Sequence, residues 1–558
     1  MKMRVAWAKS RYKDTVYETP LVMTSYRDEK GVARNKTIVS LAKLPRFVVD
    51  LIAEALKRGD DSVLAEYVHI DSVRHVRSVV LGPVFTVLSI LKQLGIYQAL
   101  RASLSLKQAA AVLAIVVERV VAPKPLSVMA SQRTFARSPL AHLLGMEASP
   151  ALNTWYGALG RLEERRESIL QELFARNHAP GPLYLYDITS SYFEGDTCPL
   201  AAFGYNRDGK KGKKQVVIGV ICDGDGCPIW VDVFAGNTAD QTTVKQELTN
   251  LKAKLGLEDF IFVGDRGMVT HARIEELEKE GWWEQFRYIT ALTRQEMMGL
   301  VEDSGHPVQL ELFDPKNLAE VEEGGERYVL CHNPQRMERD RETRLRLLAL
   351  TEGKLQGIKK NVADGRIRQE KVIAKRLHRW LNRWNMGRFF EVDYGEGRFT
   401  YGRKEEEIER YARLDGCYVI RSNAERWRQT TEELRDHYKD LKFVEQAFRT
   451  MKTTDIQVRP IRHFNEPQVR GHIFACFLAY RVVWELRQRL QPVLERNPDT
   501  KRCEAGSLIE IWRELEGITL AQLQAKDKTF FKLSEIGVYA RKLLTLCKVP
   551  DLHEVFSE

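Results

Sequence analysis

Leu183-Tyr-Leu-Tyr-Asp187-Ile-Thr-Ser-Ser-Tyr-Phe193 is a run of apolar and β-favouring residues that one acid interrupts. It reads as a strand, and an ionised carboxylate inside one is costly unless something cationic neutralises it. Hydrogen bonds from the nearby Thr189 and Ser190 hydroxyls are the plainer alternative. Two more strand-like runs follow, Val216-Val-Ile-Gly-Val-Ile-Cys222 and Pro228-Ile-Trp-Val-Asp-Val-Phe234, joined by the turn signal Asp223-Gly-Asp-Gly226. That turn is far too short for a calcium loop, which needs about a dozen residues and a terminal Glu. The pattern then predicts a helix over 240–255 and a short apolar strand, Phe260-Ile-Phe-Val-Gly264, running into Asp265-Arg266. A helix over 270–280 and a strand over 288–292 come next. Asp265 is either a presented carboxylate or a helix cap.

A third acid lies far downstream, in Tyr438-Lys-Asp-Leu-Lys442-Phe-Val-Glu445-Gln-Ala-Phe-Arg449-Thr-Met-Lys452. As one helix, this stretch places Tyr438, Glu445, Arg449 and Lys452 within about 60° of one another. Thr430 and Glu433 have capping-box spacing upstream. The stripe suits a surface that holds a metal ion beside a phosphate backbone, or simply a solvated amphipathic face. Three adjoining strands, a helix, then strands alternating with helices is the element order of a ribonuclease-H-like fold. In that fold an acid on the first strand, one ending the fourth and one on a late helix converge.

These residues resemble a DDE transposase of a bacterial insertion sequence, in the insertion-sequence-four superfamily with its Tyr-Arg-Glu-Lys signature. Tyr438, Glu445 and Lys452 have the signature spacing, while Leu441 stands where the Arg belongs. Phe234-Ala-Gly-Asn-Thr-Ala-Asp240, Leu414-Asp-Gly-Cys-Tyr418, Arg459-Pro-Ile-Arg-His463 and Arg470-Gly-His-Ile-Phe-Ala-Cys-Phe-Leu-Ala-Tyr480 extend the likeness over about 180–485. The resemblance implies that Asp187, Asp265 and Glu445 are the metal-binding catalytic triad. It implies two Mg²⁺ ions per active site, with Mn²⁺ as a substitute, since hard cations prefer carboxylate oxygen and flank an in-line displacement. Tyr438 and Lys452 would hold terminal phosphates, with Arg449, Lys442 and Arg266 as further contacts. The implied partners are double-stranded DNA (terminal inverted repeats and target) and a second copy of the chain in the assembled complex. The implied reactions are hydrolysis at the transposon ends and attack of the freed 3′-hydroxyl on target DNA. A metal-dependent nuclease without strand transfer, and an inactive DNA-binding descendant, are the alternatives; the presence of all three acids argues against the second.

Composition agrees. A chain of 558 residues exceeds one ordinary core. The net charge of +10 is concentrated between Lys354 and Arg388, where eleven Lys and Arg face two acids. There Lys375, Arg376, Arg379 and Arg383 interleave with Trp380 and Trp384, which offer either base stacking or an inward-packed helix face. Lys210, Lys211, Lys213 and Lys214 form a second basic cluster, either a solubilising tip or a backbone clamp. Eight scattered cysteines, no zinc spacing, no signal-peptide pattern and no membrane-length apolar run predict a cytoplasmic protein, nucleoid-associated when bound to DNA.

The expected architecture is multidomain α/β. A hairpin and then a mostly helical region fill 1–176, the transposon-end binder by family analogy. A ribonuclease-H-like core covers 180–294 and 413–485. A basic α+β insertion occupies 295–412, with strands over 308–313, 327–332, 389–394 and 398–401. A helical tail, 486–558, is a candidate for dimerisation.

Overall fold

The computed structural model describes residues 3–12, 15–58, 73–135, 137–146, 148–177, 181–195, 197–279, 286–303, 305–314, 318–453, 456–495, 503–525 and 528–556. They fall into two compact units. One gathers the described residues up to Gly82 with Arg513–Arg541 and the residues from Pro550; the other holds Pro83–Trp512 and Lys542–Val549. The expected boundary near 176 therefore moves to Gly82, because the helices of 83–177 pack with the larger unit.

In the smaller unit β1 (Met3–Tyr12), β2 (Thr15–Arg27) and β3 (Ala33–Ser40) form an antiparallel sheet in that order. The predicted hairpin is its β2–β3 half, turned through Gly31 at φ +78°. The helix Arg46–Arg58 lays Val49, Ile52 and Leu56 against Val5, Val22 and Leu41. A separate strand, β4 (Val73–Val80), pairs with the C-terminal hairpin named below.

The larger unit is built on an eight-stranded mixed sheet. Its strands are β5 (Leu183–Tyr192), β6 (Gln215–Asp223), β7 (Pro228–Ala235), β8 (Phe260–Gly264), β9 (Phe286–Ala291), β10 (Ala319–Glu323), β11 (Glu326–His332) and β14 (Cys417–Ser422). The order is β10-β11-β14-β9-β8-β5-β6-β7, with β5, β8 and β9 parallel and every other pair antiparallel. The helix Glu466–Leu494, capped by the Asn465 side chain, runs buried beside this sheet and against Leu106–Val121 and Leu152–Glu164. At Gly471 a Cβ would meet the Leu159 carbonyl oxygen at 2.0 Å, so only glycine permits that crossing.

Four expectations change. The basic segment 295–412 is not one body apart from the core, because β10 and β11 extend the central sheet. Only the helices Pro334–Ala363 and Glu370–Arg383 and the hairpin β12 (Phe390–Gly395) with β13 (Arg398–Arg403) build a core of their own. The strand expected over 308–313 is a single 3₁₀ turn at Leu310–Leu312. The tail is not wholly helical: β15 (Thr519–Ala525) pairs with both β16 (Lys528–Leu533) and β4, and the last long helix starts at Val538. Leu520 and Leu523 have helical spacing, but strand pairing overrides it. Finally, 430–452 is two helices, Thr431–Lys439 and Lys442–Lys452, with buried Leu441 at the break. The predicted capping box at Thr430 and Glu433 is present. The helix expected over 270–280 is His271–Lys279, and residue 280 lies outside the described residues. Among the described residues no helix is long and apolar enough to cross a membrane.

Candidate active site

β5 and β8 run parallel, with Leu183 beside Ile261 and Tyr186 beside Gly264. The next residue of each segment is an acid, Asp187 inside β5 and Asp265 just past the end of β8, so the register carries both to the same level of neighbouring strands, whose backbones lie about 4.8 Å apart. Glu445 comes from the first turn of the helix Lys442–Lys452, which packs on β5 and β6. Its buried Val444, Ala447, Phe448 and Met451 repeat at helical spacing, which leaves Glu445 and Arg449 on the exposed side.

The three acids line one open cleft of about 280 Å³, together with Asp240 and Arg207. They also border an adjoining hollow of about 410 Å³ bounded by Tyr438, Arg266 and Arg336. Burial pushes the Asp187 carboxyl up to about 7. The Ile188 N–H, donating to Asp187 Oδ1 at 2.7 Å, and the Arg207 charge pull the other way, while Asp265 and Glu445 add like-charge repulsion. Asp265 Oδ1 accepts from the Arg266 N–H at 2.7 Å and from the Tyr438 hydroxyl at 3.1 Å. Burial and the Asp265 charge raise the Tyr438 phenol pKa, so it donates at neutral pH.

The donor set, three carboxylates with mutual repulsion, is one that a hard divalent cation relieves. Among the described residues no three Asp, Glu, His or Cys side chains already stand close enough to hold an ion. The acids share a cleft without closing into a ligand cluster.

The remaining sequence candidates separate. Arg266 lines both hollows and is exposed. Lys442 and Arg449 line a neighbouring groove of about 490 Å³ with Arg487. Lys452 is engaged within the chain. Its half-buried side chain donates from Nζ to Thr189 Oγ1 at 2.6 Å and to Asp208 Oδ1 at 2.9 Å, and burial lowers its pKa. Lys210, Lys211 and Lys213 project from an exposed loop, and Lys214 is half-buried at its root. Lys375, Arg376, Arg379 and Arg383 are exposed on their helix. Trp380 and Trp384 instead pack on the core of that subdomain, stacked at 5.9 Å on each other. The rings contribute to the helix–hairpin core and carry Lys354 and Arg383 on their faces.

Sequence reading missed four residues. Asp240 and Arg207 form an ion pair at 2.6 Å in the cleft wall, and Arg336 reaches the hollow from a helix that looked only basic. Asp208 is fully buried and takes both Lys452 and Arg459. Asp240 alone had a signal, the quoted stretch that ends on it.

The family model described as Transposase DDE domain matches residues 182–482, more than half of the chain and all of the acids above. No curated protein matches. Among solved structures, a piggyBac transposase synaptic complex with hairpin DNA is 11% identical over 85% of this chain and 81% of its own, at a TM-score of 0.35. A Mos1 transposase paired-end complex with left transposon end is 18% identical over 25% of this chain and 51% of its own, at 0.13. Neither likeness carries weight at those scores. The matched span does, and by it the chain belongs to the DDE transposase family.

Proposed function

We propose that this DDE transposase is the enzyme of a bacterial insertion sequence, cutting at transposon ends and joining the freed 3′-hydroxyls to target DNA. The observation that carries the reading is the meeting of Asp187, Asp265 and Glu445 in one cleft, where the first is driven toward its neutral form by burial and by the other two. A ribonuclease-H-like core is supported by the order β7-β6-β5-β8-β9, with three antiparallel strands followed by two parallel to β5. Asp187, Asp265 and Glu445 would hold Mg²⁺, two ions when substrate is bound, or Mn²⁺ in its place. The metal supplies charge stabilisation on the attacking and leaving oxygens of the phosphodiester and lowers the pKa of the attacking water.

The chain's own residues orient the strand. Tyr438 donates from one wall, and Arg266 and Arg336 present cations beside it, a substitute for the signature Arg that Leu441 replaces. Assignment to the Tyr-Arg-Glu-Lys branch rests on the Tyr438, Glu445 and Lys452 spacing, with Lys452 serving to lock the helix rather than to bind phosphate. Lys442 and Arg449 continue the basic path, and the exposed cations of Glu370–Arg383 offer duplex phosphates a second footing. Two DNA ends call for two copies of the chain. The N-terminal residues remain the proposed reader of the terminal repeats, now divided at Gly82.

A strand-transfer assay separates this reading from a plain nuclease. Pre-cleaved terminal-repeat DNA with a free 3′-hydroxyl is incubated with a supercoiled target and Mg²⁺. Joined products are expected; cutting of intact ends without joining would favour the nuclease.

A further inference from the structure

The loop between β5 and β6 carries two aromatic side chains that the catalytic reading does not use. Phe203 is 65% exposed and Tyr205 81% exposed. Single exposed apolar side chains are ordinary. These two differ because the backbone beneath them is pinned. The Tyr205 carbonyl accepts from Gln215 Nε2 at 3.1 Å, and the Arg207 N–H donates to Ser190 Oγ at 2.9 Å. Asp208, one step on, accepts from the Tyr192 N–H at 3.1 Å and from Lys452 Nζ, and also pairs with Arg459. The Asn206 side chain holds the following turn, accepting from the Asp208 N–H at 2.9 Å and donating to the Lys210 carbonyl at 2.8 Å. A loop fixed this firmly would be expected to tuck its rings in, yet both stand in solvent.

Tyr205 adjoins the cleft through a cation, and Phe203 is two residues before it on the same loop. The Arg207 guanidinium lies 5.6 Å from the Tyr205 ring centroid and also lines the cleft of Asp187, Asp265 and Glu445. Lys210 and Lys211 are exposed a few residues further on. Exposed rings on a fixed backbone, with a cation beside Tyr205, suit a ligand that has flat faces and negative charge, as unpaired nucleotides do.

We infer that Phe203 and Tyr205 form a stacking platform for unpaired bases of the DNA strand that enters the cleft. The inference rests on the DNA-cutting reading of that cleft and adds to it a single-strand subsite. Stacking on an aromatic ring is sequence-tolerant, so the platform would serve terminal repeats of any sequence.

The test measures binding of the full chain, without metal, to labelled short oligo(dT) and to a blunt duplex of matching length. Wild type is compared with Phe203→Ala, Tyr205→Ala, the double variant and Tyr205→Trp. Loss of about tenfold in oligo(dT) affinity per ring removed is expected, with duplex affinity unchanged and Tyr205→Trp near wild type. Equal losses on both DNAs would overturn the inference by making the loop a duplex contact, as would no loss on either. Wild type that binds the duplex but ignores oligo(dT) would end the platform and leave the transposase reading intact. A chain that binds neither DNA would sink both. Because both side chains are exposed, the circular-dichroism melting curves of the variants should overlay that of wild type, and single-strand loss with an unchanged melt cannot be a folding defect.

Discussion

At the scale of the residue, Asp187 is where stability and chemistry oppose each other. Burial and the nearby Asp265 and Glu445 raise its carboxyl to about 7. In the unfolded chain it titrates near the ordinary value of 3.8. The folded state therefore binds a proton that the unfolded state has released. That contribution is fully present below the unfolded value and is lost as pH rises through about 7. Asp187→Asn should accordingly melt above wild type in metal-free buffer at about pH 8, with the gap closing toward about pH 4. Thermal melts across that range would check it, and a gap that widens in acid would refute it. Asp208 has the opposite character. Its buried carboxylate neutralises Lys452 and Arg459, which are only partly buried, so Asp208→Ala removes charged hydrogen bonds and should cost about 2 kcal/mol in urea unfolding. Asp187 was legible in the sequence because it breaks an apolar strand. Asp208 was not, since it sits in a loop without periodicity and its Lys452 partner lies far along the chain.

At the scale of the element, the helix Glu370–Arg383 separates two roles that its sequence interleaves. Ile373 and Leu377 are buried, Trp380 and Trp384 pack beside them, and Lys375, Arg376 and Arg379 face solvent. Trp380→Ala should cost roughly 3 kcal/mol of stability and leave the salt dependence of DNA binding unchanged. Lys375→Ala or Arg379→Ala should instead leave stability alone and lower the slope of log K against log salt by about 1 each. Fluorescence-anisotropy titrations at several salt concentrations distinguish the two. The periodicity of the tryptophans was readable beforehand, and it favoured packing while leaving stacking open. The packing has hydrophobic partners supplied by β12 and β13. The break at Asp440 and Leu441 was hidden for a similar reason. No Pro or Gly marks it, and Leu441 is buried by tertiary packing that local propensity does not encode.

At the scale of the whole molecule, the central sheet was the readable part. Its strands are apolar runs bounded by turns, and the acids interrupt or end them. The strands β10 and β11 joined the same sheet against expectation, because a charged segment with short apolar runs can pair at a sheet edge as well as form a separate body. The C-terminal hairpin was missed because β15 finds its second partner in β4, hundreds of residues earlier. Such long-range pairing leaves no local trace.

Cleavage of labelled DNA carrying the element's own terminal repeat, in Mg²⁺, tests the central claim most directly. Wild type is set beside Asp187→Ala, Asp265→Ala and Glu445→Ala, with DNA binding measured in parallel. The account predicts cutting at the repeat boundary by wild type and at least a thousandfold loss, on the order of 4 kcal/mol of barrier, in each variant that still binds. Any one of the three cutting at the wild-type rate would contradict the shared role of these acids.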